Sequence, residues 1–259
     1  MKPRLRGDVR FRPADDGVFL RSEAGVFTLP GKQTCLWLER IAPFLTGAHE
    51  LADLTAALPD EHRDVVTRLV GVLYDQGLVV DADADKPHTL TPDELATYAE
   101  HIAFIAYALD SPEHRFQRFR ETPVALLGDG PIAEEIRRAG LEAGWREIGT
   151  EVTDNALLIQ VSADPDAFVP HNLAVRVFVE PNAVWLSPVG RPGAGHEGSL
   201  HGPQVHEGSP HGLLTGPVPA VVAAQVVLAC FLHLTGLDEL GEPALTRIDL
   251  RTLDTTTHP

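Results

Sequence analysis

A small α+β segment followed by a larger α/β segment is the organisation this sequence predicts, on three observations. Short alternating apolar runs fill the first thirty residues, helical periodicity carries the chain to about residue 80, and an apolar strand enters a glycine-rich turn after residue 123. At 259 residues and 44% hydrophobic content, the chain has the length for two domains, each with its own core. The polar, proline-ended run Asp81-Ala-Asp-Ala-Asp-Lys-Pro87 marks the boundary. Domains are therefore expected over 1–82 and 93–259, joined by a linker at 83–92.

The first segment opens with three strands. Val9–Arg12, Val18–Ser22 and Gly25–Leu29 are short and alternating, and Asp15-Asp16-Gly17 and Glu23-Ala24 supply the turns between them. Pro30-Gly31 ends the last strand. Leu36, Leu38, Ile41 and Leu45 then line a helix that closes at Gly47, and Leu51, Leu54 and Leu58 mark a short second one. Pro59 opens a third helix, with Asp60 and Glu61 at its positive end, Val66, Leu69, Val70 and Leu73 as its inward stripe, and Gly77 beyond its last turn. Leu78-Val79-Val80 reads as a final strand. This order is a winged helix-turn-helix outline.

Two uses of that outline compete. A DNA reader is disfavoured, because the third helix presents Asp64, Thr67, Arg68 and Asp75 outward and the chain carries a formal net charge of -16. An open strand edge, by contrast, offers unpaired N–H and C=O groups to an extended peptide. With Gly25, Val26, Phe27, Thr28 and Leu29 as that edge, Val65, Arg68, Leu69 and Val72 of the third helix are the candidate groove residues. Equally, Leu69 fits a plain core position. The basic residues Lys2, Arg4, Arg6, Arg10, Arg12 and Arg21 cluster ahead of them, and such a face can steer an acidic peptide.

In the second segment, Thr91-Pro92-Asp93-Glu94 is a capped helix start, and that helix is expected to run to about Leu109. Ser111-Pro112-Glu113 begins the next. Val124–Leu127 then feeds Gly128-Asp-Gly130-Pro-Ile-Ala133, the outline of a nucleotide-binding strand-to-helix turn. Asp129 would repel a phosphate there, and Pro131 removes one N–H from the helix start. A Rossmann-like domain with a degenerate nucleotide loop at Gly128 and Gly130 is the expectation. Glu151, in a strand over about 147–152, is a candidate ribose partner. Strands follow at Ala156–Val161, Val175–Glu180, Val184–Leu186 and Thr246–Leu250, with an apolar helix at Val218–Leu234 buried against the sheet or a second subunit.

His196-Glu-Gly-Ser-Leu-His201 and His206-Glu-Gly-Ser-Pro-His211 form a near-duplicate within a His/Gly-rich loop over 194–212. Glycine-spaced histidines give no preformed metal geometry, so no metal is expected. Cys35 and Cys230 lie in apolar helical patterns and read as buried thiols. No charged-then-apolar signal segment opens the chain, and no apolar stretch is expected to reach membrane-spanning length; a cytoplasmic protein follows.

Cys35-Leu-Trp-Leu-Glu-Arg-Ile-Ala-Pro-Phe-Leu-Thr-Gly47 resembles the amino-terminal part of the ThiF-like (E1-like) proteins of azole-containing peptide biosynthesis. Lys86–Thr91, Ala103–Ile105, Ser111–Phe119, the turn Leu186–Gly193 and the terminal Leu250–Pro259 are similar to further stretches of that family, the last to the segment joining it to a YcaO cyclodehydratase. The resemblance implies a winged-helix module that takes a precursor leader as an added strand, here along Gly25–Leu29 beside the helix of Val65–Val72. An E1-like scaffold then docks on a YcaO enzyme, which uses ATP and magnesium to form thiazolines or oxazolines from Cys, Ser and Thr in thiopeptide-type pathways. No cofactor of its own is implied. The family's cysteine pairs after the proline-glycine turn are missing, and no arginine and lysine fall in order around Asp164 and Asp166, so catalytic residues are not expected. A separate YcaO partner, and a homodimer, are the associations the resemblance suggests; an E1-like adenylyltransferase is the alternative.

Overall fold

The structure, a computed structural model, describes residues 1–22, 25–190, 214–238 and 244–258. Its chain divides into two compact units, Met1–Phe116 and Gln117–Pro259.

In the first unit, β1 (Pro3–Leu5) pairs antiparallel with β5 (Val79–Asp81), joining residues far apart in sequence. β2 (Arg10–Ala14), β3 (Gly17–Ser22) and β4 (Gly25–Pro30) form an antiparallel sheet in that order. Gly17 is required at the first turn: its φ is +149° and an added Cβ would lie 2.0 Å from the Leu29 carbonyl oxygen. Three helices follow, α1 (Thr34–Ile41), α2 (Leu51–Thr55) and α3 (Asp60–Asp75). Val18 and Leu20 of β3, Leu38 of α1, and Val66, Val70 and Leu73 of α3 meet in one core, with Phe27 and Leu29 of β4 packed against it. α1 lies on β2 and β3, and α3 lies on α1, α2 and β5.

The stretch expected as a linker stays inside this unit. Arg4 makes a bidentate pair with Asp85 at 2.8 and 3.1 Å, Asp85 also accepts the Ser111 N–H at 2.7 Å, and Ser111 Oγ accepts the Lys86 N–H at 3.0 Å. Contacts divide the chain inside α6 (Pro112–Glu121), and not at residues 83–92. The expected capping box is present: Thr91 Oγ1 accepts the Glu94 N–H at 3.3 Å and Glu94 accepts the Thr91 N–H at 2.9 Å. It opens α4 (Pro92–Thr97), and a break at Tyr98 (φ -107°, ψ 22°) separates α5 (Ala99–Ala108), where one helix was expected.

The second unit is a seven-stranded mixed sheet in the order β12-β11-β10-β9-β8-β6-β7. β6 (Val124–Leu127) pairs parallel with both β7 (Ile148–Gly149) and β8 (Leu157–Ser162), and β8 pairs parallel with β9 (Ala174–Val179). β10 (Ala183–Leu186), β11 (Leu245–Asp249) and β12 (Thr255–His258) continue antiparallel. α7 (Pro131–Ala143) and α8 (Val218–Thr235) pack on each other, α7 against β6 and β7 and α8 against β9.

Two expectations change here. Leu250–Pro259 was expected as a joining segment, but 255–258 are an edge strand, and the Asp249 carboxylate shapes its turn by accepting the N–H groups of Arg251 and Thr252 at 2.9 and 3.2 Å. α8 is long and apolar enough to cross a membrane by length and composition, with mean hydropathy 2.0 over 18 residues, against the expectation that nothing reaches that length. Half of it is buried within the protein, as fits a core helix. The His196–His211 repeat and Arg191–Gly193 lie outside the described residues.

Candidate functional site: an open strand edge and a glycine turn

β4 is the last strand of its sheet, and among the described residues no strand pairs with its outer side. Its orientation follows from one bond: the Gly31 N–H donates to the Asp16 carbonyl at 2.9 Å, one step beyond the Gly17–Pro30 pair. Bonded and non-bonded pairs alternate along an antiparallel ladder. Val18–Leu29, Leu20–Phe27 and Ser22–Gly25 are therefore the bonded pairs, and the N–H and C=O groups of Val26 and Thr28 turn to the open side. Pro30 and, across the sheet, Pro13 fall at non-bonded positions, where a missing N–H costs nothing.

Side chains alternate in the same strand. Phe27 and Leu29 pack on the core, while Thr28 is exposed and Val26 is 61% exposed. One face thus anchors β4, and its edge presents two donors and two acceptors at fixed spacing. This is the geometry that accepts an extended chain.

Of the expected groove residues on α3, Val65 and Arg68 are exposed and Val72 is half-buried. These three lie at i, i+3 and i+7, on one helical face. Leu69 is 8% exposed and belongs to the core, so it is a packing residue and not a pocket residue. What α3 and β4 share is that core, into which Phe27 and Leu29 reach.

The glycine turn sits at the point where the parallel strands diverge, since β7 and β8 flank β6 on opposite sides. Ligands of open α/β sheets bind there, beyond the carboxyl ends of the strands. Gly128 has φ +115°, and an added Cβ would stand 2.4 Å from the Val161 carbonyl oxygen. Gly130 has φ +83° with open space where a Cβ would be. Both glycines therefore hold left-handed backbone conformations that other residues rarely adopt, as the turn requires.

The residues around it are acidic, and few backbone donors are free. Pro131 occupies the first helical position, and the Glu134 N–H is already bonded to the Gly130 carbonyl at 3.1 Å, which leaves Ile132 and Ala133 as donors. The loops leaving β6, β8 and β9 hold Asp129, Asp164, Asp166 and Glu180, with no lysine or arginine among their residues 128–130, 163–167 and 180–182. Glu151 follows β7, which is shorter than expected, and is exposed. Carboxylates thus follow each of the four parallel strands, a setting that disfavours bound anions. Asp164 is partly engaged, accepting the Asp166 N–H at 3.0 Å.

Among the described residues no group of three or more His, Cys, Asp or Glu side chains is placed to hold a metal ion. Both cysteines are buried, and burial pushes the Cys230 thiol far above the ordinary range, which makes it inert at neutral pH. Sequence reasoning missed Glu180 and the parity of Val26 and Thr28. The second was within reach, because prolines at 13 and 30 must avoid bonded ladder positions.

No protein-family model and no curated protein matches the chain. Solved structures do. PaaA is 13% identical with a TM-score of 0.61, covering 98% of this chain and 98% of its own. Escherichia coli MccB is 11% identical with a TM-score of 0.58, covering 100% of this chain and 94% of its own; it has also been solved with ATP, and with AMPCPP and MccA. A heterocyclase in complex with substrate and cofactor is 15% identical with a TM-score of 0.53 over 99% of this chain but only 38% of that one. At these identities the likeness is one of fold. Over its whole length, then, this chain is similar in fold to PaaA and MccB, with a mixed parallel and antiparallel sheet.

Proposed function

We propose that this protein captures the leader of a ribosomal precursor peptide and delivers it to a separate YcaO cyclodehydratase, without performing chemistry itself. The observation that carries this reading is the open edge of β4, where Val26 and Thr28 turn their N–H and C=O groups outward while Phe27 and Leu29 hold the strand to the core. An extended leader adds there as a fourth strand, reading backbone rather than sequence, with Val65, Arg68 and Val72 of α3 as candidate contacts for its side chains. In this reading the first unit serves as the winged-helix recognition module, and the second as the E1-like scaffold that docks on the partner.

Two likenesses support the assignment. MccB has been solved with MccA, and the heterocyclase with its substrate and cofactor. In the proposed complex the YcaO partner binds ATP and magnesium and activates the backbone amide for attack by a Cys, Ser or Thr side chain. The present chain fixes the leader, so that the core peptide reaches the partner's site at high effective concentration.

One observation favours a second reading. The turn at Gly128–Pro131 joins a strand to a helix through two left-handed glycines, and MccB has been solved with ATP, so an E1-like adenylyltransferase is the alternative. The carboxylates Asp129, Asp164, Asp166 and Glu180 weigh against it.

One experiment separates them. A labelled leader from a precursor encoded nearby is titrated by fluorescence polarisation, and ATP–pyrophosphate exchange is measured in the same preparation. Leader binding without exchange, and ring formation (loss of one water per ring) only when the YcaO partner is added, is the expected outcome. Exchange that depends on the peptide would replace the first reading with the second.

A further inference from the structure

The solvent face of the β2-β3-β4 sheet carries a charge pattern that recognition of backbone alone does not use. Phe11, Val18, Leu20, Phe27 and Leu29 point into the core. The other parity places Arg10, Arg12 and Ala14 of β2, Gly17, Phe19 and Arg21 of β3, and Val26, Thr28 and Pro30 of β4 on the outer face. These nine positions hold three arginines and no carboxylate, in a chain with 37 acidic and only 21 basic residues.

The register groups them. Arg10 stands beside Arg21, which stands beside Val26; Arg12 stands beside Phe19, which stands beside Thr28. Like charges directly opposite each other destabilise a strand pair, so the Arg10–Arg21 row is at a disadvantage until a counter-charge arrives. Arg12 is held on the face by the Phe19 ring, its guanidinium carbon 5.0 Å from the ring centroid. Arg10 donates to the carbonyls of Gly7 and Val9 at 2.7 and 3.0 Å and reaches the Tyr107 hydroxyl at 3.4 Å, none of which neutralises it. Among the described residues no carboxylate pairs with Arg10, Arg12 or Arg21.

A strand added to β4 lies about 4.8 Å beyond it, so residues on its outer face sit about 10 Å from the backbone of Arg21 and Phe19. Arginine and glutamate side chains span that gap between them, and it is close to the screening length of about 8 Å at physiological salt. Given strand addition at β4, we propose that the captured peptide is acidic at alternate positions, its carboxylates facing Arg21 and Arg12 on the solvent side and its apolar residues facing the other way. The arginine face then acts as the selectivity element of the edge, and explains how a chain of net charge -16 attracts an anionic ligand to one place.

The test uses three labelled extended peptides of alternating Leu–Glu, Leu–Gln and Leu–Lys, titrated against the full chain by fluorescence polarisation. The Leu–Glu peptide is expected to bind about tenfold more tightly than Leu–Gln at low salt, and about twofold at high salt, as exposed charge pairs require. Arg12→Gln with Arg21→Gln should abolish that preference while leaving Leu–Gln binding unchanged. Equal binding of Leu–Glu and Leu–Gln, both lost in Val26→Pro, would overturn the acidic-ligand inference and leave strand addition standing. Binding of none of the three would overturn both. Preference for a labelled DNA duplex over the Leu–Glu peptide would overturn it in favour of a nucleic-acid face.

Discussion

Replacing Val26 by proline tests the edge at the smallest possible scale. The Val26 N–H points away from β3, so the substitution removes no bond within the sheet, and its side chain, already 61% exposed, gives up little burial. The folded state should lose only about 0.5 kcal/mol, as at other surface positions. A peptide paired along β4 loses one hydrogen bond, about 1 kcal/mol net, and has one of its carbonyls left without a donor, about 1–3 kcal/mol more. The sum, about 2–4 kcal/mol, weakens Kd roughly 30- to 800-fold. Fluorescence polarisation with the leader peptide reads this directly, with circular dichroism to verify the fold. Phe27→Pro is the contrasting case: it removes a donor from the bonded pair with Leu20 and displaces a side chain packed on the core, so it should lower Tm sharply. A folded Val26→Pro variant with unchanged Kd would refute the assignment of the outward N–H groups to binding.

Three further outcomes are expected. Leu69→Ala should destabilise the first unit by about 2–5 kcal/mol in urea unfolding, whereas Val65→Ala and Arg68→Ala should leave stability within about 0.5 kcal/mol and change only peptide affinity. Gly140→Ala, which would ordinarily favour a helix, should destabilise the second unit by about 1–3 kcal/mol, because its Cβ would lie 2.1 Å from the buried Trp145 ring; thermal unfolding checks the sign. The Asp249 carboxyl is held below its ordinary value, chiefly by the N–H groups of Arg251 and then Thr252. It therefore contributes stability that is complete above the unfolded value of about 3.9 and is lost as pH falls below that, through the depressed folded value. An acid titration of Tm should be shallower in Asp249→Asn.

The legible parts of the fold were those with strong local signals. Asp15-Asp16-Gly17 and Pro30-Gly31 punctuate the first sheet, the capping box at Thr91 starts a helix where expected, and the apolar runs at 124–127 and 157–162 are strands. Pairing across long sequence distances was not legible: β1 has only three residues, and its partner β5 lies more than seventy positions away. β12 escaped because Thr255-Thr256-Thr257-His258 is exposed throughout and has no apolar alternation to mark it. The acidic run at 81–87 looked like a linker, since composition cannot tell a solvated Asp85 from one that receives Arg4 and the Ser111 N–H. On the first sheet, Gly25–Leu29 was legible as a strand, and the structure has it as part of β4. The sequence could not decide Leu69 on α3, because a groove residue and a core residue have the same periodicity.

Amide hydrogen exchange by NMR reads strand addition at β4 residue by residue. With the leader peptide bound, the Val26 and Thr28 amides should become strongly protected, while those of Phe27 and Leu29, already bonded to β3, should change little. Binding that leaves Val26 and Thr28 exchanging as fast as in the free protein would contradict the account and place the peptide elsewhere on the molecule.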